Sequence, residues 1–177
     1  MATTIDGSAS VTINSGAVLG ITSGTVQNST SGTYIDFTGI PSWVKRITVM
    51  VNGVSTNSTS NLQIQLGVSG TPETTGYSTI SGVITTTNNT TRSATPTTGF
   101  PFSNGSSAAS LYYGTFIFTL IGSNVWSGFG NVYDSSGGIG CLAGAKTLAG
   151  TLNMIRLTTV NGTDTFDAGS INILYEG

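Results

Sequence analysis

Asn61-Leu62-Gln63-Ile64-Gln65-Leu66 alternates apolar and polar residues without a break. In an extended chain successive side chains point to opposite sides, so Leu62, Ile64 and Leu66 share one face and the two glutamines the other. This is a half-buried strand, leucine and isoleucine inward, glutamine outward. The same period of two recurs on both sides of it. Upstream, in Lys45-Arg46-Ile47-Thr48-Val49-Met50-Val51, Ile47, Val49 and Val51 form one face. Downstream, Met154-Ile155-Arg156-Leu157-Thr158-Thr159 and Ser170-Ile171-Asn172-Ile173-Leu174-Tyr175 repeat the pattern, the last aligning Ile171, Ile173 and Tyr175.

Turn chemistry separates these runs. Asn52-Gly53, Asn104-Gly105 and Asn161-Gly162 are pairs that tolerate positive φ, and Gly122-Ser123-Asn124 divides two β-rich runs, 111–121 and 125–133, that read as a hairpin. No stretch carries an apolar stripe at helical spacing, and the 31 Thr, 15 Ile and 12 Val residues are stiff at χ1 and favour pleated structure. The expectation is an all-β protein with almost no helix: an antiparallel β-sandwich, jelly-roll-like, over residues 33–177. Residues 1–32 contain only isolated apolar points such as Val11, Val18, Leu19 and Val26 between Ser, Thr and Gly, and read as an extended N-terminal arm held by another chain.

One run departs from half-burial. In Tyr112-Tyr113-Gly114-Thr115-Phe116-Ile117-Phe118-Thr119-Leu120-Ile121, one face holds Phe116, Phe118 and Leu120, yet Ile117 and Ile121 make the opposite face apolar too. The arm, a loop or a neighbouring subunit must cover that second face. The subunit is the favoured cover, because no helix is available and closed homo-oligomers are common.

Composition bounds the function. At 177 residues and 18.0 kDa the chain suits one domain with an arm. Five cations against seven anions leave a net charge of −2, too few basic groups to track a nucleic acid backbone. No apolar run approaches the ~20 residues that span a bilayer, and Met1-Ala2-Thr3-Thr4-Ile5-Asp6 lacks the basic and apolar parts of a signal peptide, so the expectation is synthesis in the cytoplasm without a membrane address. The single Cys141, in Gly-Ile-Gly-Cys-Leu-Ala, reads as a small buried apolar residue.

With no His, the commonest general base and metal ligand are missing, so a Ser-His-Asp triad cannot form and the usual zinc ligand sets cannot be assembled. No catalytic residue, metal or cofactor is expected. Asp164 and Asp167 form the closest carboxylate pair and remain the candidates for a distant alternative, a glycan depolymerase, although Asp in such a loop ordinarily serves as a backbone acceptor. Ser136-Gly137-Gly138-Ile139-Gly140 has no following Lys-Ser/Thr and reads as a turn before a strand. The Asn-X-Ser/Thr triplets, Asn89-Thr90-Thr91 among them, are a chance product of composition. The aromatics are the remaining contact candidates: Tyr77, Trp126 and Tyr133, with Asp134 beside them, offer flat rings and an acceptor for a sugar. The competing reading makes Trp126 core and both tyrosines packing. Trp43 reads as a plug at one end of the sandwich.

The run Tyr34-Ile35-Asp36-Phe37-Thr38-Gly39-Ile40-Pro41-Ser42-Trp43-Val44-Lys45-Arg46-Ile47-Thr48-Val49-Met50 resembles the opening of a domain found at the C-terminal ends of bacteriophage tail fibres and in small stand-alone phage virion proteins. Residues 55–61, Ile64-Gln65-Leu66-Gly67, 155–170 and Ile171-Asn172-Ile173-Leu174-Tyr175-Glu176 are similar to the same domain in order and spacing. The resemblance, over residues 33–177, implies a non-enzymatic virion component, often trimeric and distal; the leading expectation is a homotrimer of tail-fibre or fibre-tip type, with residues 1–32 attaching it to other virion proteins. The resemblance also implies contact with a host surface glycan or protein, and it names no catalytic residue. A chain this short with an arm also fits a capsid decoration or cement protein, or a head fibre.

Overall fold

The computed structural model describes residues 12–13, 16–17, 20–86, 91–103 and 106–177, and among them every regular element is a strand. The expected turn at Asn104-Gly105 and the triplet beginning at Asn89 lie outside the described residues, as do Val11, Val18 and Leu19. The short β1 (Thr12–Ile13) and β2 (Gly16–Ala17) pair with each other. The large sheet contains β3 (Thr22–Ser23), β4 (Gln27–Asn28), β6 (Arg46–Thr56), β9 (Tyr77–Thr85), β10 (Thr91–Ala94), β12 (Tyr112–Gly122), β13 (Val125–Asp134), β14 (Gly138–Thr147) and β16 (Phe166–Glu176). Its order is β10-β9-β14-β13-β12-β6-β16-β3, with β4 also on β16. The small sheet runs β11-β7-β15-β5, from β5 (Tyr34–Thr38), β7 (Leu62–Val68), β11 (Phe100–Pro101) and β15 (Leu152–Thr159), with β8 (Thr71–Pro72) on β7. All pairings are antiparallel.

The sandwich expectation holds, and the nested pairing shows how it is jelly-roll-like. β6 pairs with β16, β7 with β15, β9 with β14, and β12 with β13, so the chain closes on itself from the outside inward as one long antiparallel ribbon. A jelly roll deals alternate pairs of such a ribbon to opposite sheets. Here the innermost pair, β12–β13, stays in the large sheet between β14 and β6. The large sheet is consequently wider than the small one.

Each expected strand is present. The inward residues of the alternating runs meet in one core: Ile47, Val49, Val51, Ile171 and Ile173 from the large sheet against Leu62, Ile64, Leu66, Ile155 and Leu157 from the small. Phe100 fills the centre, 5.3 Å from the Tyr77 ring and 5.0 Å from Phe118, both edge-on, as the ring quadrupoles prefer. Phe102 stacks obliquely 4.7 Å from Phe116. Gly130 makes room beneath Phe116, since a Cβ there would come within 2.3 Å of the Thr115 carbonyl oxygen. Trp43 is half-buried at the start of β6, its ring 5.8 Å from Tyr175.

Two turn expectations resolve differently. Ser123 and Asn124 form the two-residue β12–β13 turn with φ of 48° and 62°, the double positive φ that matches strand twist. Asn52-Gly53 is no turn. Gly53, at φ 65°, sits in β6 where its register with β12 shifts, so the positive-φ signal marks a bulge and the strand continues to Thr56.

The described part of the arm from residue 22 onward is tied down by this chain itself. Gly24 N–H donates to the Ile173 carbonyl at 2.8 Å, and the fully buried Ser29 donates through N–H to Gly169 and through Oγ to Ala168. Residues 22–32 therefore form the edge of the large sheet beyond β16, and the sandwich extends upstream of residue 33.

Candidate interaction face

The strands β9, β14, β13 and β12 lie side by side with continuous register, so their odd or even parity decides what each face shows. The inner positions include Val83, Leu142, Val132, Phe116 and Phe118, all buried. The outer positions fall into rows across the strands. One row is Ile84, Ile139, Tyr133 and Tyr113; the next is Gly82, Cys141, Asn131 and Thr115; the third is Ile80, Ala143, Phe129 and Ile117. Two rows of large apolar or aromatic side chains thus flank one row that is small or polar.

These large side chains face outward in the open. Ile84, Phe129, Ile139 and Tyr133 are each more than half exposed, Ile80 is half exposed, and Ile121 at the end of β12 is 70% exposed. The outer positions of the four strands carry no charged residue. The nearest ion pair on this side, Arg46 with Glu176 at 3.1 Å, lies beyond β12 on β6 and β16. Single exposed apolar residues are ordinary, but a contiguous set of this kind marks a contact surface.

The arm, one of the three covers expected for Ile117 and Ile121, runs along β16 at the far edge instead, so its described residues do not lie over them. Ile117 is half-buried among its neighbours and Ile121 is exposed. Cys141 is corrected as well: its side chain is exposed on the floor between the two apolar rows, where the thiol donates to the Gly82 carbonyl at 3.3 Å. It lies on the outer parity of β14, whereas the short apolar residues around it suggested burial.

The sequence-derived contact residues divide. Tyr77 opens β9 and is 3% exposed; its hydroxyl donates to the Glu73 carbonyl at 2.9 Å, lies 3.2 Å from the Leu66 carbonyl and accepts from Leu66 N–H. Burial pushes the Tyr77 phenol well above its ordinary pKa, and neither its ring nor its hydroxyl is available to a sugar. Trp126 is 2% exposed and belongs to the core. Asp134 is buried, accepting from Ser136 N–H at 2.9 Å in the β13–β14 turn. Of the four, only Tyr133 stands outward, 6.2 Å from the Tyr113 ring. The structure does not bring these residues together as one site. The distant carboxylate pair is likewise separated by environment: Asp164 is buried and accepts from Ser60 N–H and the Asn161 amide, closing a turn, while Asp167 is exposed on β16.

The small sheet's outer face has a different chemistry. Gln63 and Gln65, expected in solvent, are buried because the segment before β11 lies over them: Gln65 Nε2 donates to the Thr98 carbonyl, and the Thr98 hydroxyl donates to Gln63 Oε1. Beside them Arg156 makes two 2.7 Å hydrogen bonds to Asp36 and lies 3.9 Å from the centroid of the Tyr34 ring. The Asp36 hydrogen bonds hold the Arg156 guanidinium above its usual pKa. Tyr34, Gln63, Gln65, Thr98, Arg156 and Asn161 line a hollow of about 280 Å³. Most of its polar side chains already have partners within the chain.

Sequence reasoning missed Ile80, Ile84, Phe129 and Ile139. A signal existed: in 77–84 the isoleucines are out of phase with Val83, and in 125–133 Phe129 is out of phase with Trp126, so both faces of each strand carry large residues. Without the register, nothing showed that these second faces lie on the same side. The chain matches no family model, no curated protein and no solved structure.

Proposed function

We propose that this chain is a non-enzymatic structural component of a bacteriophage particle, of tail-fibre or fibre-tip type, that works as a homotrimer. The observation that carries this reading is the uncharged, apolar outer face of β9, β14, β13 and β12. Fully covering one wholly exposed large apolar side chain contributes roughly 1.5–3 kcal/mol, and Ile80, Ile84, Phe129 and Ile139 are each about half exposed, so together they supply about 3–7 kcal/mol per copy against the cost of association. The phage assignment draws on the resemblance of residues 34–50 and 155–176 to the fibre domain. The extensive antiparallel pairing and the edge-covering segment 22–32 suit a part that must persist outside a cell.

The test is cryo-electron microscopy of purified particles from cells producing the chain with its phage. Three-fold density at a fibre or tail tip is the expected result. A lattice of copies on the head would replace the fibre reading by capsid decoration, and absence from particles would overturn both. Adsorption assays on a phage lacking the chain separate the same cases: loss of adsorption with intact heads follows from the fibre reading, and fragile heads from decoration.

A further inference from the structure

The relief of the large sheet's outer face says more than its polarity does. Two ridges, one through Ile139 and Tyr133 and the other through Phe129 and Ile117, stand four residues apart along the strands, roughly 13 Å at ~3.4 Å per residue. Between them runs a furrow floored by Gly82, Cys141, Asn131 and Thr115. A surface holding both ridge and furrow at one spacing can receive a copy of itself, ridge into furrow. The absence of charge matters for the same reason. A self-contact brings identical surfaces near each other, and any fixed charge there risks meeting its own kind, whereas this face presents none.

From this relief and neutrality, we propose that the outer face of β9, β14, β13 and β12 is where copies of this chain meet, with a ridge of one copy seated over Cys141 of the next. The inference rests on the homotrimer reading and assigns the surface that makes it. The four strands span ~19 Å and the exposed rows about 27 Å, roughly 500 Å² per copy at strand spacings of ~4.8 Å. Two such faces bury on the order of 1,000 Å² in all and three around one axis about 1,500 Å², the same ~500 Å² for each copy, at the bottom of the range for specific contacts.

Cys141 makes the proposal measurable, because it is the single cysteine of the chain and lies on the furrow floor. The experiment follows N-ethylmaleimide labelling of the full chain, alongside its mass by light scattering, from dilute solution up to about 100 µM, where a contact with Kd of ~10 µM is mostly formed. The expected result is a particle of three times the 18.0 kDa chain mass, with labelling slowed at least ~10-fold as it forms. Phe129→Lys and, independently, Ile84→Lys should return the mass to that of one chain and restore fast labelling, with the circular dichroism spectrum unchanged. Val160→Lys, at an exposed apolar residue just after β15, should leave mass and labelling as in the wild type. A trimer that keeps Cys141 fully reactive and tolerates both face substitutions overturns this assignment while the homotrimer stands. A wild-type chain that remains single across the whole range overturns both.

Discussion

On the outer face of the large sheet, Phe129, Ile139 and Ile84 stand more than half exposed with no charge among them. On the outer face of the small sheet, Gln63 and Gln65 are buried under Thr98, and Arg156 is tied twice to Asp36. Both faces look away from the same core, and both are built from strands with clean alternation. The difference lies in how each meets its own needs. The small sheet closes its outer face with its own chain, satisfying the polar groups it takes out of water. The large sheet leaves apolar surface that none of the described residues covers. A half-buried strand is thus recognised by its inner face, but its role is recognised by its outer one.

The largest expected effect tests whether these outer faces are distinct from the core they share. Phe118, fully buried against Phe100, should cost about 3–5 kcal/mol when replaced by Ala, read as a lower urea midpoint of the isolated chain. Phe129→Ala, on the same sheet with opposite parity, should move the stability of the isolated chain by less than ~0.5 kcal/mol, because its side chain is already open to water. Equal losses at the two positions would break the comparison, since they would mean that Phe129 is covered within one chain. Next comes the small sheet. Arg156→Ala removes two charge-assisted bonds and the stack on Tyr34, and should cost about 1–2 kcal/mol, discounted for a partly exposed pair. A double-mutant cycle with Asp36→Asn should assign most of that loss to the pair, whereas additive losses would make the bidentate contact incidental.

Much of the fold was legible because period-two alternation depends on nearest neighbours alone. Ile47, Leu62, Leu157 and Ile171 are core for the reason the sequence pattern indicates. Positive-φ residues were legible as places where the backbone deviates, but not as to which deviation: Ser123-Asn124 turns the chain and Gly53 only bulges it. The candidate face was less legible. Ile117 was visible as an apolar residue on the wrong side of its strand, yet its association with Phe129, Ala143 and Ile80 depends on the register of four strands, of which β9 and β14 pair Ile80 with Ala143 across 63 positions of sequence. Tyr77 misled for a related reason. The preceding Thr74-Thr75-Gly76 suggests a loop, while its burial comes from Leu66 and Phe100, residues brought to it by the other sheet.

A smaller effect depends on pH. Lys146, largely buried at the inner end of β14, meets Glu73 at 2.5 Å, and Glu73 also accepts from Ala149 N–H. Burial alone would raise the Glu73 pKa; the hydrogen bonds from Lys146 and Ala149, with the Lys146 charge, outweigh it and hold the carboxyl below its ordinary value. A depressed carboxylate contributes stability above its unfolded pKa of ~4.3 and loses it as pH falls through the lower folded value. Wild type should therefore exceed Glu73→Gln by about 1 kcal/mol near neutrality, with the gap closing in acid. A gap independent of pH would show that shape, and not charge, holds this corner.

The smallest expected effect concerns the turn that carries the candidate face. Ser123 and Asn124 both adopt positive φ, which Asn and Gly accept more readily than Ser. Replacing them with Asn-Gly should stabilise the isolated chain by a few tenths of a kcal/mol, measured by urea unfolding, since the turn already has the required shape and only its local strain is relieved. Its bearing on the comparison comes from position. The turn joins β12 to β13, whose outer rows hold Ile117 and Phe129, and a tighter turn leaves their spacing unchanged. Self-association should accordingly be the same in the Asn-Gly variant as in the wild type. A shift in oligomer mass would mean that the turn itself, and not the rows behind it, takes part in the contact between copies.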